Sequence, residues 1–307
     1  MKAIRFHAYK EAPVIEDAPV PQIAPNQVLV RVQAAALNPL DALLVSGLGA
    51  KFFSLTFPHT IASDFAGVVE RVGSSVTQWK AGDAVIAWAD PAAGGGLAEF
   101  AAVPAKACVA LPPNLSAAEG AGIPTAGSTA WHALFSAARL QADETVLIHA
   151  AAGGVGSFAV QFAAKAGARV IATASGDGVE LVRSLGANQV IDYKAQDFKT
   201  AVSNVDVVLD LVGGDTQAGS YDVMRKGGRL VSTALPPDTA VAEARGVSAS
   251  MFYAKPFADR LASVVEAIHA QGVRVVIDRT VPFAAFNEAW ARLTSRRARG
   301  KIVIAPV

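Results

Sequence analysis

Cysteine is almost missing from these 307 residues, with Cys108 the only one. That excludes an internal disulfide and any cysteine-built metal site. Cys108 itself lies in an apolar stretch and reads as a small core residue rather than a nucleophile. Charge is sparse too. Charged residues make up 17% of the chain, and 27 Lys+Arg nearly balance 26 Asp+Glu, for a net charge of +1 without a basic block. Nothing electrostatic recruits nucleic acid or an anionic membrane surface. The five histidines (His7, His59, His132, His149, His269) are scattered without ligand spacing, so no metal site is spelled locally. No repeat period is evident. Met1 to His7 reads as a strand that starts at once, with no apolar leader, and a cytoplasmic location is expected. The uncharged run Thr145 to Ala164 has the length of a membrane span, but Gly153-Gly154 at its centre argues for a turn, and no membrane segment is expected.

What is present is apolar: 52% of residues are hydrophobic, enough for about two domains at roughly 150 residues each. The central stretch opens with Thr145 to Ile148, a β-branched run that reads as a buried parallel strand. Ala151, Gly153 and Gly156 follow, the dinucleotide fingerprint with its first glycine replaced by alanine. A helix comes next, with Phe158 and Phe162 one turn apart on one face. Gly153 has no Cβ, so backbone can approach a pyrophosphate; Gly156 lets the helix lie close against the strand; the helix N-terminus offers free N–H groups and a positive dipole end. Such a spelling also arises by chance in an alanine-rich chain, but the strand before it and the helix after it supply the required context. The candidate loop residues are Ala152, Gly153, Gly154, Val155 and Gly156.

Ahead of this stretch the chain reads as short strands with proline punctuation: Ala3 to Phe6, Gln27 to Ala34, Phe65 to Val72, Ala84 to Trp88, Ala98 to Val103 and Ala107 to Leu111. In Gln27 to Ala34, Val28, Val30 and Val32 share one face, with Arg31 and Gln33 on the other. Strands without intervening helices suggest a barrel-like β module. Ser116 and Glu119 spell a capping box, so a helix begins there, and Ser128 to Ala138 reads as another. Strands then alternate with helices: Arg169 to Ala174, Val190 to Tyr193, Val205 to Val212, Arg229 to Thr233 and Val247 to Tyr253. This is a doubly wound α/β Rossmann sheet. Phe257 to Ala270 is an amphipathic helix, and the tail returns to strand, helix and strand. The expected organisation is a β-rich domain of residues 1–115 and 271–307, with a nucleotide-binding domain, 116–270, inserted.

Strand two ends Ala172-Thr-Ala-Ser175, with a hydroxyl where an NAD site usually puts a carboxylate. NADPH is therefore favoured over NADH, with Ser175, Arg183 and Tyr193 as candidates for its 2′-phosphate. Asp177 would repel that phosphate if it pointed inward.

With Ala36 to Asp41, Ser63 to Val69, Gly82 to Val85, Ala150 to Gly156, Asp206 to Asp210 and the ending Arg299 to Ile304, the sequence resembles the medium-chain dehydrogenase/reductase superfamily. The likeness is to its zinc-independent quinone oxidoreductase (zeta-crystallin-like) branch, and it runs over nearly the whole chain. The resemblance implies a GroES-like catalytic domain with an inserted Rossmann domain. Zinc alcohol dehydrogenases of this superfamily hold the metal with Cys, His and Cys; the matching motifs here put Asn38, Ser63 and Thr125 at those positions, and no zinc is expected. Further nicotinamide contacts implied are Thr129, Gly213, Gly214, Thr233, Ala234 and Leu235. Asn38 is the candidate catalytic donor; a turn-stabilising Asn before Pro39 is the competing reading. Asp41 and Asp64 are expected to make structural hydrogen bonds. The tyrosine that usually follows Ser-Gly in this branch is absent after Ser46-Gly47. The expected activity is NADPH-dependent hydride transfer to a quinone or similar conjugated carbonyl; enal/enone double-bond reduction and a non-catalytic NADPH-binding structural protein are the alternatives. A homodimer through strand six is expected.

Overall fold

The computed structural model describes residues 1–256 and 258–305. Phe257, where the expected helix 257–270 begins, and the final residues 306 and 307 lie outside them. The chain divides into two compact units: Met1–Thr125 with Pro256–His269 and Val275–Val307, and Ala126–Lys255 with Ala270–Arg274.

In chain order the β-rich part contains β1 (Lys2–Phe6), β2 (Val14–Asp17), β3 (Gln27–Leu37), α1 (Pro39–Val45), β4 (His59–Thr60), β5 (Asp64–Val72), β6 (Ala84–Trp88), β7 (Phe100–Pro104), β8 (Cys108–Ala110) and α2 (Ala117–Gly122). The sheet of the second unit follows α3 (Pro124–Trp131). Its elements are β9 (Thr145–Ile148), α4 (Gly154–Lys165), β10 (Arg169–Ala174), α5 (Asp177–Ser184), β11 (Gln189–Asp192), α6 (Phe198–Ala201), β12 (Val205–Asp210), α7 (Gly214–Ser220), β13 (Met224–Ser232), α8 (Thr239–Ala244) and β14 (Ser248–Met251). The chain closes with α9 (Ala258–Gln271), β15 (Ile277–Pro282), α10 (Phe286–Thr294) and β16 (Lys301–Ala305).

The β-rich unit holds a small antiparallel sheet, β2-β1-β4, and a larger one ordered β15-β16-β3-β5-β6-β8, with β7 also paired to β3. The alternation read in β3 is realised. Val28, Val30 and Val32 enter one core with Phe6, Phe65 and Ile304, while Arg31 and Gln33 stay exposed. Each such buried aliphatic side chain contributes about 1.5–3 kcal/mol of transfer free energy. The module is not free of helices: α1 starts where Asn38-Pro39 reads as a turn. Asn at the N-cap, Pro at N1 and Asp41 at N3 together favour a helix start. The Ser116–Glu119 capping box is formed, with Ser116 N donating to Glu119 Oε2 at 2.8 Å. Its helix, α2, belongs to the β-rich unit, so the division falls at 125 rather than at the expected 115. Gly120 lies so near the sheet that a Cβ would sit 2.7 Å from Leu111 Cδ1 and 3.1 Å from Ile86.

The second unit is a six-stranded parallel sheet ordered β11-β10-β9-β12-β13-β14. Order reverses beside β9, the point where sheets of this kind bind ligands at their strand C-termini. Leu147, Ile171, Ile191, Val208 and Leu230, one from each of five strands, share a core. Phe158 and Phe162 stack with centroids 6.1 Å apart and are both buried. Beyond α3 the expected helix 128–138 continues as a π-helical stretch, His132–Ala137. In α9, Leu261, Val264, Val265 and Ile268 are buried, as an amphipathic helix requires.

Candidate functional site

The glycine loop follows from β9. Ala150 adopts a left-handed conformation, φ +49°, and is pinned there by β10: its N–H reaches Thr173 Oγ1 at 3.3 Å and that of Ala151 reaches Thr173 O at 3.0 Å. No sequence signal marks this strained alanine. The turn puts Ala150 O against α4, and a Cβ on Gly156 would lie 2.5 Å from that oxygen and 2.6 Å from Ala151 Cα. Gly153, the N-cap of α4, differs. A Cβ there would touch Ala150 O alone, at 3.3 Å. So Gly156 answers to helix packing, and Gly153 leaves room above the first turn. Ala152, Gly154 and Val155 complete the loop, and the first-turn amides have no intrahelical acceptor. Such a helix start, open at the N-cap, fits a pyrophosphate.

The expected nicotinamide loops after β12 and β13 are brought together by Asp210, which is fully buried. Its carboxylate accepts Gly213 N at 2.9 Å, Val212 N at 3.0 Å, Gln217 Nε2 at 2.9 Å and Ser232 Oγ at 2.8 Å. Its carbonyl accepts Thr233 N at 3.0 Å. Ser232 Oγ accepts Ala234 N at 3.2 Å and Leu235 N at 3.3 Å, and Gln217 also reaches Leu235 O at 3.1 Å. Gly213 needs its φ of +80°, and its Cα lies against the Leu235 side chain. Asp210 closes one of the motifs that carry the resemblance, but Gln217 and Ser232 give no signal of their own, since Ser232 reaches Asp210 from the neighbouring strand, 22 residues on. Thr129 is buried on α3, beside Ser128, whose hydroxyl is buried and has no hydrogen-bond partner among the described residues. That is the state of a polar group a bound molecule satisfies.

At the end of β10, Ser175 Oγ donates to Tyr193 OH at 2.9 Å, joining two of the three 2′-phosphate candidates. The third, Arg183, pairs with Glu180 at 3.4 Å. Asp177 is exposed at the start of α5.

In the β-rich unit, Asn38 anchors a buried polar cluster. Its Nδ2 donates to Asp64 Oδ2 at 2.9 Å, and its Oδ1 accepts from Lys301 Nζ. Its backbone N–H donates to Asp41 Oδ2 at 2.7 Å. The side chain thus bridges Asp64 and Lys301, while Asn38 also serves locally as the N-cap of α1 in a capping box with Asp41. Asp64 also accepts Thr125 N at 3.0 Å and Thr125 Oγ1 at 2.7 Å. Burial, reinforced by the charge of Asp64, pushes the Asp41 carboxyl up to about 7. Burial lowers Lys301, against the pull of Asp64 and Asp41. Among the described residues no group of three or more His, Cys, Asp or Glu is arranged to hold a metal ion.

His149 is structural. Its ring nitrogens meet Thr173 Oγ1 at 3.2 Å and Ser220 Oγ at 3.0 Å, and burial takes its pKa down to about 4. Burial pushes the Cys108 thiol up to about 12, so it is no nucleophile near neutral pH.

Residues 24–113 match the alcohol dehydrogenase GroES-like domain family, and residues 185–304 the zinc-binding dehydrogenase family. A chloroplast envelope quinone oxidoreductase homolog of Arabidopsis thaliana is 34% identical over 324 residues, covering 100% of this chain and 98% of that protein. An NADPH-dependent alkenal/one oxidoreductase of the same plant, chloroplastic, is 35% identical over 301 residues, covering 94% of this chain and 74% of that one. The quinone oxidoreductase structure from Coxiella burnetii superposes with TM-score 0.92 at 32% identity, covering 100% of this chain and 99% of the other. At the positions where the resemblance puts the superfamily's zinc ligands stand an amide, Asn38, and two hydroxyls, Ser63 and Thr125, a set that does not fit the zinc of one family's name.

Proposed function

The chain belongs to the medium-chain dehydrogenase/reductase superfamily, in its quinone oxidoreductase branch, and from that premise we propose that it uses NADPH to reduce a quinone or similar conjugated carbonyl without zinc. That it is an NAD(P)H-dependent oxidoreductase follows from its relatives; the choice of NADPH and of the acceptor is our reading. The observation that carries it is the donor set at Asn38. An amide is presented there, and the neighbouring Asp64 is already engaged by Asn38, Thr125 and Lys301. Alcohol oxidation needs a Lewis acid or a free base for the hydroxyl proton. Reduction of a conjugated carbonyl needs chiefly orientation and hydrogen bonds to a developing oxyanion, because conjugation spreads the charge.

When bound, the cofactor supplies the hydride. The chain's part is to hold the pyrophosphate at Gly153 to Gly156 and to fix the loops Gly213-Gly214 and Thr233 to Leu235 through Asp210. Ser175 and Tyr193 supply hydroxyls, and no carboxylate, at the end of β10, which supports NADPH over NADH. Reduction of an enal or enone is the second reading, favoured by the alkenal/one relative. We also assign self-association to β14, the edge strand of the parallel sheet, whose last residue, Met251, is exposed, as is Tyr253 just beyond it.

One kinetic experiment tests this reading: steady-state rates with NADPH and NADH, on a quinone and on an enone, for wild type and Ser175→Asp. The wild type is expected to prefer NADPH and to turn over at least one acceptor. Ser175→Asp is expected to lose about tenfold or more in kcat/KM for NADPH, about 1.4 kcal/mol, while keeping NADH activity. An unchanged coenzyme preference in Ser175→Asp places the 2′-phosphate elsewhere, and a wild type inert toward both acceptors overturns the reductase reading.

A further inference from the structure

Lys301 is 3% exposed and Asp64 not at all, a cation and a carboxylate withdrawn from water together. They come from the start of β16 and the start of β5. Every polar atom they carry is engaged. Lys301 Nζ donates to Leu37 O at 3.0 Å and to Asn38 Oδ1, and lies 3.7 Å from Asp64 Oδ2. Asp64 Oδ2 accepts Asn38 Nδ2 and Thr125 N, and its Oδ1 accepts Thr125 Oγ1. A buried ion pair contributes little net stability relative to an apolar pair of the same volume. What such a pair supplies is direction.

The direction is read at Asn38. The two faces of a side-chain amide have nearly the same shape, so packing alone does not choose between them. The Lys301 ammonium can only donate, and the Asp64 carboxyl oxygens act here as acceptors, taking Thr125 N and Thr125 Oγ1 besides the amide. Oδ1 must therefore face Lys301 and Nδ2 must face Asp64. The flipped amide would set N–H against ammonium and carbonyl against carboxylate. Further, an amide whose oxygen accepts from a cation is polarised along its length, and its N–H groups become stronger donors. One Nδ2 hydrogen goes to Asp64, which leaves the other to donate. Lys301, with its hydrogens directed at Leu37, Asn38 and Asp64, has none to spare.

We propose that Lys301 and Asp64 are positioning residues for the reduction: together they lock and polarise the Asn38 amide so that its remaining N–H donates a hydrogen bond to the acceptor's carbonyl oxygen as the hydride from NADPH places negative charge there, and the anion then takes its proton from water. The proposal rests on the reductase reading above. Asp41 assists by accepting the Asn38 backbone N–H, which fixes the main chain at the start of α1.

The test is a cycle of four proteins: wild type, Asn38→Ala, the charge-free pair variant Lys301→Gln/Asp64→Asn, and the combination of all three changes. The pair variant keeps hydrogen-bonding groups of similar size, yet either new amide can donate or accept, so nothing dictates the orientation of Asn38. For each protein the readouts are NADPH affinity, kcat and KM for a quinone. Asn38→Ala and the pair variant are each expected to lose about 100-fold in kcat, the cost of one oxyanion donor, with NADPH affinity unchanged. The combined variant is expected to lose no more than Asn38→Ala alone, because Lys301 and Asp64 act through that residue. A merely structural pair would give independent, multiplying losses. A pair variant with wild-type kcat, or losses that multiply, overturns the proposal. Should that variant not fold, Lys301→Met/Asp64→Asn is read by the same criteria. A wild type that reduces no conjugated carbonyl overturns the reductase reading and this one with it, whereas an active, unaffected pair variant overturns this one alone.

Discussion

Gly153→Val is expected to weaken NADPH binding by at least about 100-fold, roughly 2.7 kcal/mol, while leaving the protein folded. The backbone is extended at this N-cap (φ −77°, ψ 180°), a conformation open to any residue, and a Cβ would meet Ala150 O alone, at a tight 3.3 Å that a shift of a few tenths of an ångström relieves. The space the new side chain fills is the space above the first-turn amides of α4, where a pyrophosphate must approach the backbone. Gly156→Ala is the matched control with the opposite expectation. Its Cβ would lie within 3 Å of three backbone atoms of Ala150 and Ala151, so α4 must move off β9 at a cost of at least about 1–3 kcal/mol. Titration with NADPH and urea denaturation, run on both variants, separate the two roles. Unchanged cofactor affinity in Gly153→Val would remove the loop assignment.

Asp41→Asn is expected to change how stability depends on pH. The Asp41 carboxyl titrates near 3.8 in the unfolded chain and at about 7 in the fold, raised first by burial and then by Asp64, with Lys301 opposing. Between those values the native state holds a proton that the unfolded chain has released. Stability from this group is therefore full below about pH 4, falls as pH rises, and is lost above about 7; a shift of that size amounts to about 4 kcal/mol. His59 and His149, both lowered to about 4 by burial, slope the other way below pH 6.5. The clean quantity is thus the difference in unfolding free energy between wild type and Asp41→Asn, in which the histidines cancel. That difference is expected to move in favour of the variant between pH 5 and pH 8. A pH-independent difference would mean that Asp41 titrates normally in the fold.

The parallel sheet was legible in the sequence because each strand is a short β-branched run followed by a helix signal. Thr145 to Ile148, Arg169 to Ala174 and the Ser116–Glu119 capping box were read at or near their observed bounds. Helix α1 was not, because Asn-Pro spells a turn as readily as an N-cap, and only Asp41 three residues on separates them. β13 starts at Met224, ahead of the expected Arg229, because Gly227-Gly228 looks like a turn but is carried within the paired strand. Local features of the candidate site could be proposed from spacing alone, as with the glycine loop and Ser175, whose strand–turn–helix settings the fold contains. The site was invisible where chemistry is assembled across the chain. Lys301 lies 263 residues from Asn38, and Asp210 reaches Ser232 over 22. No spacing rule joins them; only the pairing of β16 with β3 and of β12 with β13 does.

The most direct measurement follows deuterium from C4-deuterated NADPH during turnover of a conjugated acceptor by protein dialysed against a chelator. Deuteride is expected to leave the coenzyme with a primary isotope effect on NADPH consumption, and the rate is expected to be the same before and after chelation. A carbon acceptor such as an enone is expected to carry the label in its product. Loss of turnover on chelation, restored by zinc, would contradict a metal-free hydride transfer. So would stoichiometric NADPH binding with no consumption on any quinone or enone, the behaviour of a nucleotide-binding protein that is not an enzyme.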